Sequence, residues 1–257
     1  MSGKWRAGWL ALYRLLVLAA GLAVLEVLCA ADIIDRLTMQ PPHQIAIDLV
    51  HLIASGGLTR PILRTMSNAV IASVMALGAG IVLASIIHRI PPLRQALDLV
   101  FSTWYAVPVL AFYPLFIVLF GLGNLPQILI GFMQGVVAVI VSMLDGLDRV
   151  PRVLRKLART QKMTPLETAL LITLPAAAPW ILTGAKLAIM FSIIGVVASE
   201  FLMARDGLGF EISYAYNNFD NARMYPLIVL VIAFSVLVNS LLFRWETHLL
   251  RQRGLKP

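Results

Sequence analysis

Residues 145–173 read DGLDRVPRVLRKLARTQKMTPLETALLIT and form the least apolar segment of any length in this chain. Apolar blocks flank this polar segment on both sides, from about 125 to 144 and from about 176 to 203. Each block has the length of roughly 20 residues that a helix needs to cross a bilayer. The polar segment is therefore predicted to connect two membrane-spanning helices on one side of a membrane.

The polar segment is predicted to be an amphipathic helix rather than a flexible linker. It contains no Gly/Ser run, and the first strong break signal is Thr164-Pro165. One side of the helix carries Val153, Leu154, Leu157 and Thr160, and the other carries Arg152, Arg155, Lys156 and Arg159.

The composition of the whole chain agrees with a membrane protein. Of the 257 residues, 60% are apolar and only 13% are charged, and the mean hydropathy is +0.86. A soluble domain carries about 25% charged residues. Soluble globular proteins and disordered chains are both excluded by these values.

Six apolar blocks predict an all-α membrane protein with a single transmembrane domain over residues 1–257. The predicted spans are 10–31, 68–87, 97–120, 125–144, 176–203 and 224–243, with outer loops at 32–67 and 204–223. Pro108 and Pro114 are expected to kink the third span, because proline removes a backbone hydrogen bond from a helix. A cleaved signal peptide is the rival interpretation of the first block, although the block exceeds the usual 7–15 apolar residues of such signals.

Two further helical patterns are visible between the first and third spans. Ile45, Ile47, Leu49, Leu52 and Ile53 predict a short amphipathic helix in the first outer loop. In the second span, small residues recur every four positions at Ala72, Ala76, Gly80 and Ala84. Small residues at this spacing let another helix approach closely, so they predict a packing face.

The basic residues orient the chain across the membrane. The sequence contains 21 Lys and Arg against 13 Asp and Glu, which gives a net charge of +8. Placing both termini and the polar segment in the cytoplasm puts most of these basic residues on the inner side, as the positive-inside rule requires. The charge therefore indicates topology and not a nucleic-acid partner.

The sequence lacks the usual motifs of catalysis and cofactor binding. It has no glycine-rich phosphate-binding loop followed by Lys and Ser or Thr, so ATP binding of the P-loop kind is not expected in this chain. Its single cysteine is Cys29, and its four histidines do not have metal-ligand spacing. An enzyme is therefore not predicted.

Residues 156–175 resemble the cytoplasmic signature of the inner-membrane permeases of binding-protein-dependent ABC importers. That signature has Glu-Ala-Ala, then a glycine, then a Leu-Pro pair. The residues that fit it are Ala158, Arg159, Thr160, Leu174, Pro175, Pro179 and Gly184. Lys156 stands where Glu is usual, and Lys162 where the turn-forming glycine is usual, so the helix break is predicted to move to Thr164-Pro165.

The resemblance extends to the nitrate, sulfonate and taurine branch of that family. The stretch 196–201, VVASEF, followed by Gly207-Leu208-Gly209, is similar to the region after the signature in this branch. Pro108, Pro114 and the sequence FGLG at 120–123 are similar as well. Together these matches cover about residues 68–243.

The resemblance implies a fold of the type I ABC importer permease kind in a bacterial inner membrane. Two permease copies, expected to be a homodimer, would form the path for a small solute such as nitrate, a sulfonate or an aromatic acid. Separate cytoplasmic ABC ATP-binding subunits would bind ATP and Mg²⁺, so this chain itself would hold no cofactor. A periplasmic or lipid-anchored solute-binding protein would deliver the solute.

The resemblance also assigns the contact with the ATP-binding subunits to residues 153–166. Leu154, Leu157 and Ala158 are expected in the ATPase groove, and Arg155 and Arg159 at its rim. The full set of predicted coupling residues is Val153, Leu154, Arg155, Leu157, Ala158, Arg159, Thr160, Lys162, Leu166, Leu174 and Pro175. The alternative is an amphipathic helix that lies on anionic lipid.

Polar and aromatic residues within the spans are the predicted lining of the path, since ionisable groups in membrane helices are functional candidates by default. These residues are Glu26, Tyr105, Tyr113, Gln134, Met190 and Glu200. The loop that carries Glu211, Tyr214, Tyr216 and Phe219 is expected to face a binding protein. A six-span channel or secondary transporter that needs no ATPase is the competing class.

Overall fold

A computed structural model describes residues 3–35 and 38–252, and no strand occurs within these two ranges. The chain divides into two compact units. The first contains Met1–Thr59 and Glu211–Ile232, and the second contains Arg60–Phe210 and Ala233–Pro257.

The described residues form eleven α-helices. They are α1 (Gly3–Ala30), α2 (Pro42–Ala54), α3 (Thr59–Arg89), α4 (Pro91–Trp104), α5 (Tyr113–Phe120), α6 (Asn124–Asp148), α7 (Arg152–Thr160), α8 (Pro165–Thr168), α9 (Leu174–Met203), α10 (Leu208–Asn217) and α11 (Asn221–Gln252). A 3₁₀ turn, Val109–Phe112, precedes α5, and a π-helical turn, Ala169–Thr173, joins α8 to α9.

Five helical stretches in the described part of the chain are long and apolar enough to cross a membrane. They are Leu12–Ala30, Thr59–Arg89, Asn124–Asp148, Pro165–Asn217 and Asn221–Leu249. The pair Pro91–Trp104 and Val109–Phe120 makes a sixth if it is counted as one broken span. The prediction of an all-α, multi-span membrane protein is confirmed.

The third predicted span is broken more sharply than a simple kink. Its two halves, α4 and the stretch from Val109 to Phe120, meet at an angle of 95°. Pro108 lies in the break and cannot donate a backbone hydrogen bond. Pro114 lies in the first turn of α5, where proline is tolerated. The interruption predicted within 97–120 is therefore present as a break at Pro108 and not as a gentle kink.

Within the first unit, the amphipathic helix predicted near residue 45 is present as α2. Pro42 occupies its first turn, and Ile45 is the buried side chain of its apolar face. The next helix, α3, already begins at Thr59 rather than near residue 68. Most of the predicted outer loop 32–67 is therefore helical, and so is much of the loop 204–223, where α10 lies.

The core of the second unit is formed by α3, α6 and α9. Val139, Ile140, Met143 and Leu144 of α6 are buried, and a second cluster joins Ala72 of α3 to α9. Glycines and alanines permit the close helix approach, because they have almost no side chain at the contact. A Cβ at Gly80 would lie 2.6 Å from that of Val139.

The small-residue face of α3 is confirmed as a packing face. Ala72, Ala76 and Ala84 are fully buried, and Gly80 is buried against α6. The partner of this face is thus another helix of the same chain. It therefore gives no support to a surface for a second copy.

Candidate functional site

The polar segment folds as two short helices joined by a tight turn at Lys162. The Lys162 amide donates to the Arg159 carbonyl, and the Met163 amide donates to the Ala158 carbonyl, both at 3.0 Å. This pair of bonds is a Schellman motif, in which the residue after the helix takes a left-handed conformation. Lys162 has a φ of 53°, so it adopts the conformation that glycine favours.

The second helix of the polar segment begins with a capping box. The Thr164 hydroxyl accepts from the Glu167 amide at 3.2 Å, and the Glu167 carboxylate accepts from the Thr164 amide at 2.7 Å. Pro165 follows at the first helical position, where its missing amide hydrogen has no consequence. The Thr164-Pro165 signal thus starts α8, whereas α7 stops at Thr160. The expectation that the break had moved away from Lys162 is wrong.

The three residues predicted to enter an ATPase groove differ in their exposure. Ala158 is only 3% exposed, and Leu154 packs against the core at the end of α6. Leu157 is 48% exposed and remains on the surface. The chain's own core therefore buries Ala158 and half-buries Leu154, and their contact with a partner's groove stays a prediction.

The exposed apolar side chains of the polar segment are Val153, Leu157, Leu166, Leu170 and Leu171. Arg159, Thr160 and Lys162 are also exposed, whereas Leu174 is half-buried against the core. The Arg155 side chain lies outside the described part of the structure. Exposed apolar residues ringed by basic ones mark a surface that meets a protein or a membrane.

A cavity of about 420 Å³ lies beneath this helical pair. Its walls come from the end of α3, the end of α6, and both parts of the polar segment. His88, Arg89 and Arg159 contribute basic groups to it. Asp148 at the end of α6 is ion-paired with His88 at 3.3 Å and with Arg94 at 3.1 Å. The end of α6 is thus tied to the end of α3 and to α4.

Glu200 of α9 lies at the other end of the second unit and is completely buried. Its carboxylate accepts from the Thr65 hydroxyl at 2.7 Å and from the Gly209 amide at 3.1 Å. The Leu208 amide in turn donates to the Thr65 hydroxyl at 2.8 Å. We call these four residues the Glu200 cluster. It fastens the turn after α9 to the start of α3.

Two glycines make the Glu200 cluster possible. Gly207 has a φ of 113°, which other residues rarely adopt, and a Cβ there would overlap the Glu200 carboxylate. A Cβ at Gly209 would collide with the Val197 carbonyl. The Gly-Leu-Gly motif thus allows the backbone to close over a buried carboxylate. Glu200 is enclosed by this turn in the structure, and its role in the path stays a prediction.

A second buried polar group lies nearby on α3 and α6. The Asn68 amide donates to the Gln127 side-chain carbonyl at 2.7 Å, and Gln127 also hydrogen-bonds Tyr113. All three side chains are almost entirely buried. Sequence reasoning selected Tyr113 but missed Asn68 and Gln127. Their signal was available, since each is a polar amide in or beside an apolar block.

The remaining predicted path residues are dispersed. Tyr105 is 56% exposed and stacks at a tilt on Phe191, with 5.9 Å between ring centroids. Gln134 and Met190 are half-buried on α6 and α9. In the first unit, Glu26 accepts hydrogen bonds from the backbone amide of His43 and is paired with its ring.

An ion pair within the helices escaped sequence analysis. Lys186 of α9 contacts Glu246 of α11 at 2.8 Å, and the Thr183 hydroxyl bonds the same carboxylate at 3.1 Å. Both charged side chains are mostly buried. Lys186 was visible as the one basic residue within the fifth span, but its partner is far away in sequence.

Comparisons with known proteins identify relatives of this chain. The nitrate import permease protein NrtB of Leptolyngbya laminosa is 32% identical over 185 residues, which cover 72% of this chain and 66% of that protein. The chain thus spans slightly under two thirds of this relative's length. The taurine transport system permease protein TauC of Escherichia coli is 28% identical over 203 residues, covering 77% of this chain and 74% of that protein.

A solved structure of the MetNI methionine ABC transporter, in inward-facing conformations, has the same fold. The TM-score is 0.65 at 17% identity, and the alignment covers 74% of this chain and 95% of the other. Residues 76–253 match the family described as the binding-protein-dependent transport system inner membrane component. This match includes α6, the polar segment and α9. The chain therefore belongs to the family of inner-membrane components of binding-protein-dependent transport systems, as its sequence signature indicated.

Proposed function

We propose that this chain is the permease subunit of an ATP-driven importer and forms the path for a small anion delivered by an external binding protein. The observation that carries the proposal is the helix–turn–helix of the polar segment, which lies inside the region of the family match. Its Schellman turn and capping box hold exposed apolar side chains on a preformed scaffold. A preformed surface of this kind suits docking into a groove.

In this proposal, ATP binding to separate subunits shifts the permease between conformations. A partner can shift such an equilibrium only by binding one state more tightly than the other. Movement of the docked helices would reach the core by two routes. One is Leu154, which packs against the end of α6, and the other is the direct continuation of α8 through the π turn into α9.

The class of solute is proposed from the relatives' names. NrtB is named for nitrate and TauC for taurine, and both solutes carry a planar or tetrahedral oxyanion group. The proposed contact for the binding protein lies in the first unit, where the aromatic rings of Tyr214, Tyr216 and Phe219 are exposed. Aromatic residues are enriched where proteins bind one another. The proposal also includes a second copy of the permease, which would form the path together with this chain.

The test is purification of a tagged copy from its native host in mild detergent, with mass spectrometry of the associated proteins. We expect a P-loop ATPase to co-purify with the unaltered chain. We propose Leu157 as a hot-spot residue of this contact. Leu157→Asp should then reduce the recovery of the ATPase at least tenfold, because loss of a hot-spot side chain costs about 2 kcal/mol or more, which is roughly thirtyfold in affinity. The fold should persist, since Leu157 is 48% exposed.

Two matched variants control for the introduced charge and for the loss of leucine. Gln161→Asp places the same charge at the end of the same helix, and Leu157→Met retains an apolar side chain of similar size. Both should retain the ATPase. Two results together would favour the channel or secondary transporter. The protein would be stable but recovered without any ATPase, and its solute flux would survive ATP depletion.

A further inference from the structure

A small polar cavity lies beside the Glu200 cluster, at the end of α3 opposite to the polar segment. Its volume is about 100 Å³. Three parts of the second unit line it: the start of α3, the region from α5 to the start of α6, and the turn after α9. We call it the arginine cavity. Its lining includes Arg64, Arg205, Tyr113, Gln127 and Asp206.

Hydrogen-bond donors dominate the polar lining of the arginine cavity. Arg64 carries a buried Nε–H that has no hydrogen-bond partner. Gln127 uses its carbonyl to accept from Asn68, and it also hydrogen-bonds Tyr113. Buried donors in proteins are nearly always satisfied, so an unpaired guanidinium N–H indicates a missing acceptor.

The one carboxylate in the lining does not fill that role. Asp206 accepts from Arg60 Nε at 3.1 Å and from the Gly207 amide at 2.9 Å, so its charge is already paired. Glu200 is close enough to Arg64 for electrostatic attraction, but its Oε2 accepts from Thr65 and Gly209, and its Oε1 has no hydrogen-bond partner and does not bond Arg64. The cavity therefore retains positive charge from Arg64 and from Arg205, which is exposed at its edge.

The size of the arginine cavity limits what can enter it. A water molecule occupies about 30 Å³ in the liquid, so the cavity has room for roughly three waters. Nitrate, or the head of a sulfonate, is of this size, whereas an entire aromatic acid is not. Guanidinium groups suit such ligands because they match oxyanions with paired, charge-assisted hydrogen bonds.

We infer that the arginine cavity is a binding subsite for the oxyanion group of the transported solute, with Arg64 as its central ligand and Arg205 at its mouth. The inference rests on the proposed function and deepens it, since it names the part of the solute that this chain recognises. The subsite lies at the opposite end of α3 from the ATPase-facing helices. It would therefore receive the solute before the path opens toward the cytoplasm.

The test measures thermal unfolding of the purified chain in detergent, with sodium nitrate or sodium methanesulfonate compared with sodium chloride at equal ionic strength. Ligands that bind only the folded state raise the unfolding midpoint. We expect a rise of about 3 °C in the unaltered chain. Arg64→Gln and Arg205→Gln should each lose at least half of it, whereas Arg64→Lys should retain part.

Arg244→Gln is the matched control, because it removes one exposed arginine of α11 that lines neither of the two cavities. It should keep the full rise. Equal rises in all variants would overturn the inference and show a general salt effect. If Arg64→Gln fails to fold, Arg205→Gln decides, because that side chain is exposed.

The same preparations separate this inference from the proposed function. Arg64→Gln should still co-purify with the ATPase, since it lies far from the polar segment. An ATPase that co-purifies without any anion-dependent rise would overturn the subsite alone. An anion-dependent rise without a co-purifying ATPase would instead overturn the importer and leave the subsite standing.

Discussion

The turns at the two ends of the second unit are stabilised by different interactions. At the polar segment, Lys162 takes a left-handed conformation with a φ of 53°, and its side chain is exposed. At the Glu200 cluster, Gly207 takes a φ of 113° and is buried against a carboxylate. Backbone capping alone makes the first turn, whereas packing determines the second. The first end is thus left with exposed apolar side chains, whereas the second encloses a carboxylate whose Oε2 is hydrogen-bonded within the chain.

This contrast predicts the largest loss of stability for Gly207→Ala. The new methyl group would overlap the Glu200 carboxylate in addition to straining the backbone. We expect a loss of about 3 kcal/mol in the free energy of unfolding, measured by chemical denaturation in detergent. Gly121→Ala is the control, because Gly121 also has a positive φ of 77° but no atom near its Cβ position. Its loss should be smaller because it introduces only backbone strain, and equal losses would contradict the role of packing.

Removal of the buried carboxylate should have the next largest effect. Glu200→Ala leaves the Thr65 hydroxyl and the Gly209 amide without their acceptor. An unsatisfied buried donor costs about 1–3 kcal/mol, so we expect a loss of about 2 kcal/mol in unfolding free energy. Glu200→Gln keeps an acceptor oxygen and should lose less. If Glu200→Ala unfolds like the unaltered chain but abolishes transport, Glu200 is a path residue after all.

The smallest effect is expected at the exposed turn, and with the opposite sign. Lys162→Gly relieves the left-handed strain of a residue with a Cβ, so it should stabilise the polar segment by about 1 kcal/mol. Slower hydrogen exchange of the Met163 amide, which is bonded to the Ala158 carbonyl, would report this gain. Lys162→Ala keeps the Cβ and should give no gain. A faster exchange in the glycine variant would show that the lysine side chain itself holds the turn.

Local patterns in the sequence predicted much of this structure. The small residues from Ala72 to Ala84 predicted a helix-packing face, and Thr164-Pro165 predicted a helix boundary. Both signals depend on residues within one or two turns of a helix. The family resemblance supplied what the local patterns could not, namely the class of transporter.

The sequence did not predict contacts between side chains that lie far apart along the chain. The enclosure of Glu200 was not predicted, because its partner Thr65 is 135 residues away. The burial of Ala158 was not predicted, because helical spacing does not show which apolar side faces the chain's own core. Lys162 shows a different limit, since a capped turn can impose a left-handed conformation on a residue that disfavours it.

The most direct test of docking through the polar segment is site-specific crosslinking. Cys29 is the only cysteine and is 1% exposed, so Leu157→Cys adds a single accessible attachment point for a photo-crosslinker. Val82→Cys, at a 58% exposed position within the apolar helix α3, is the control. In membranes from the native host, we predict that position 157 crosslinks to a P-loop ATPase and position 82 does not. Crosslinks from position 157 to lipid alone would contradict the account.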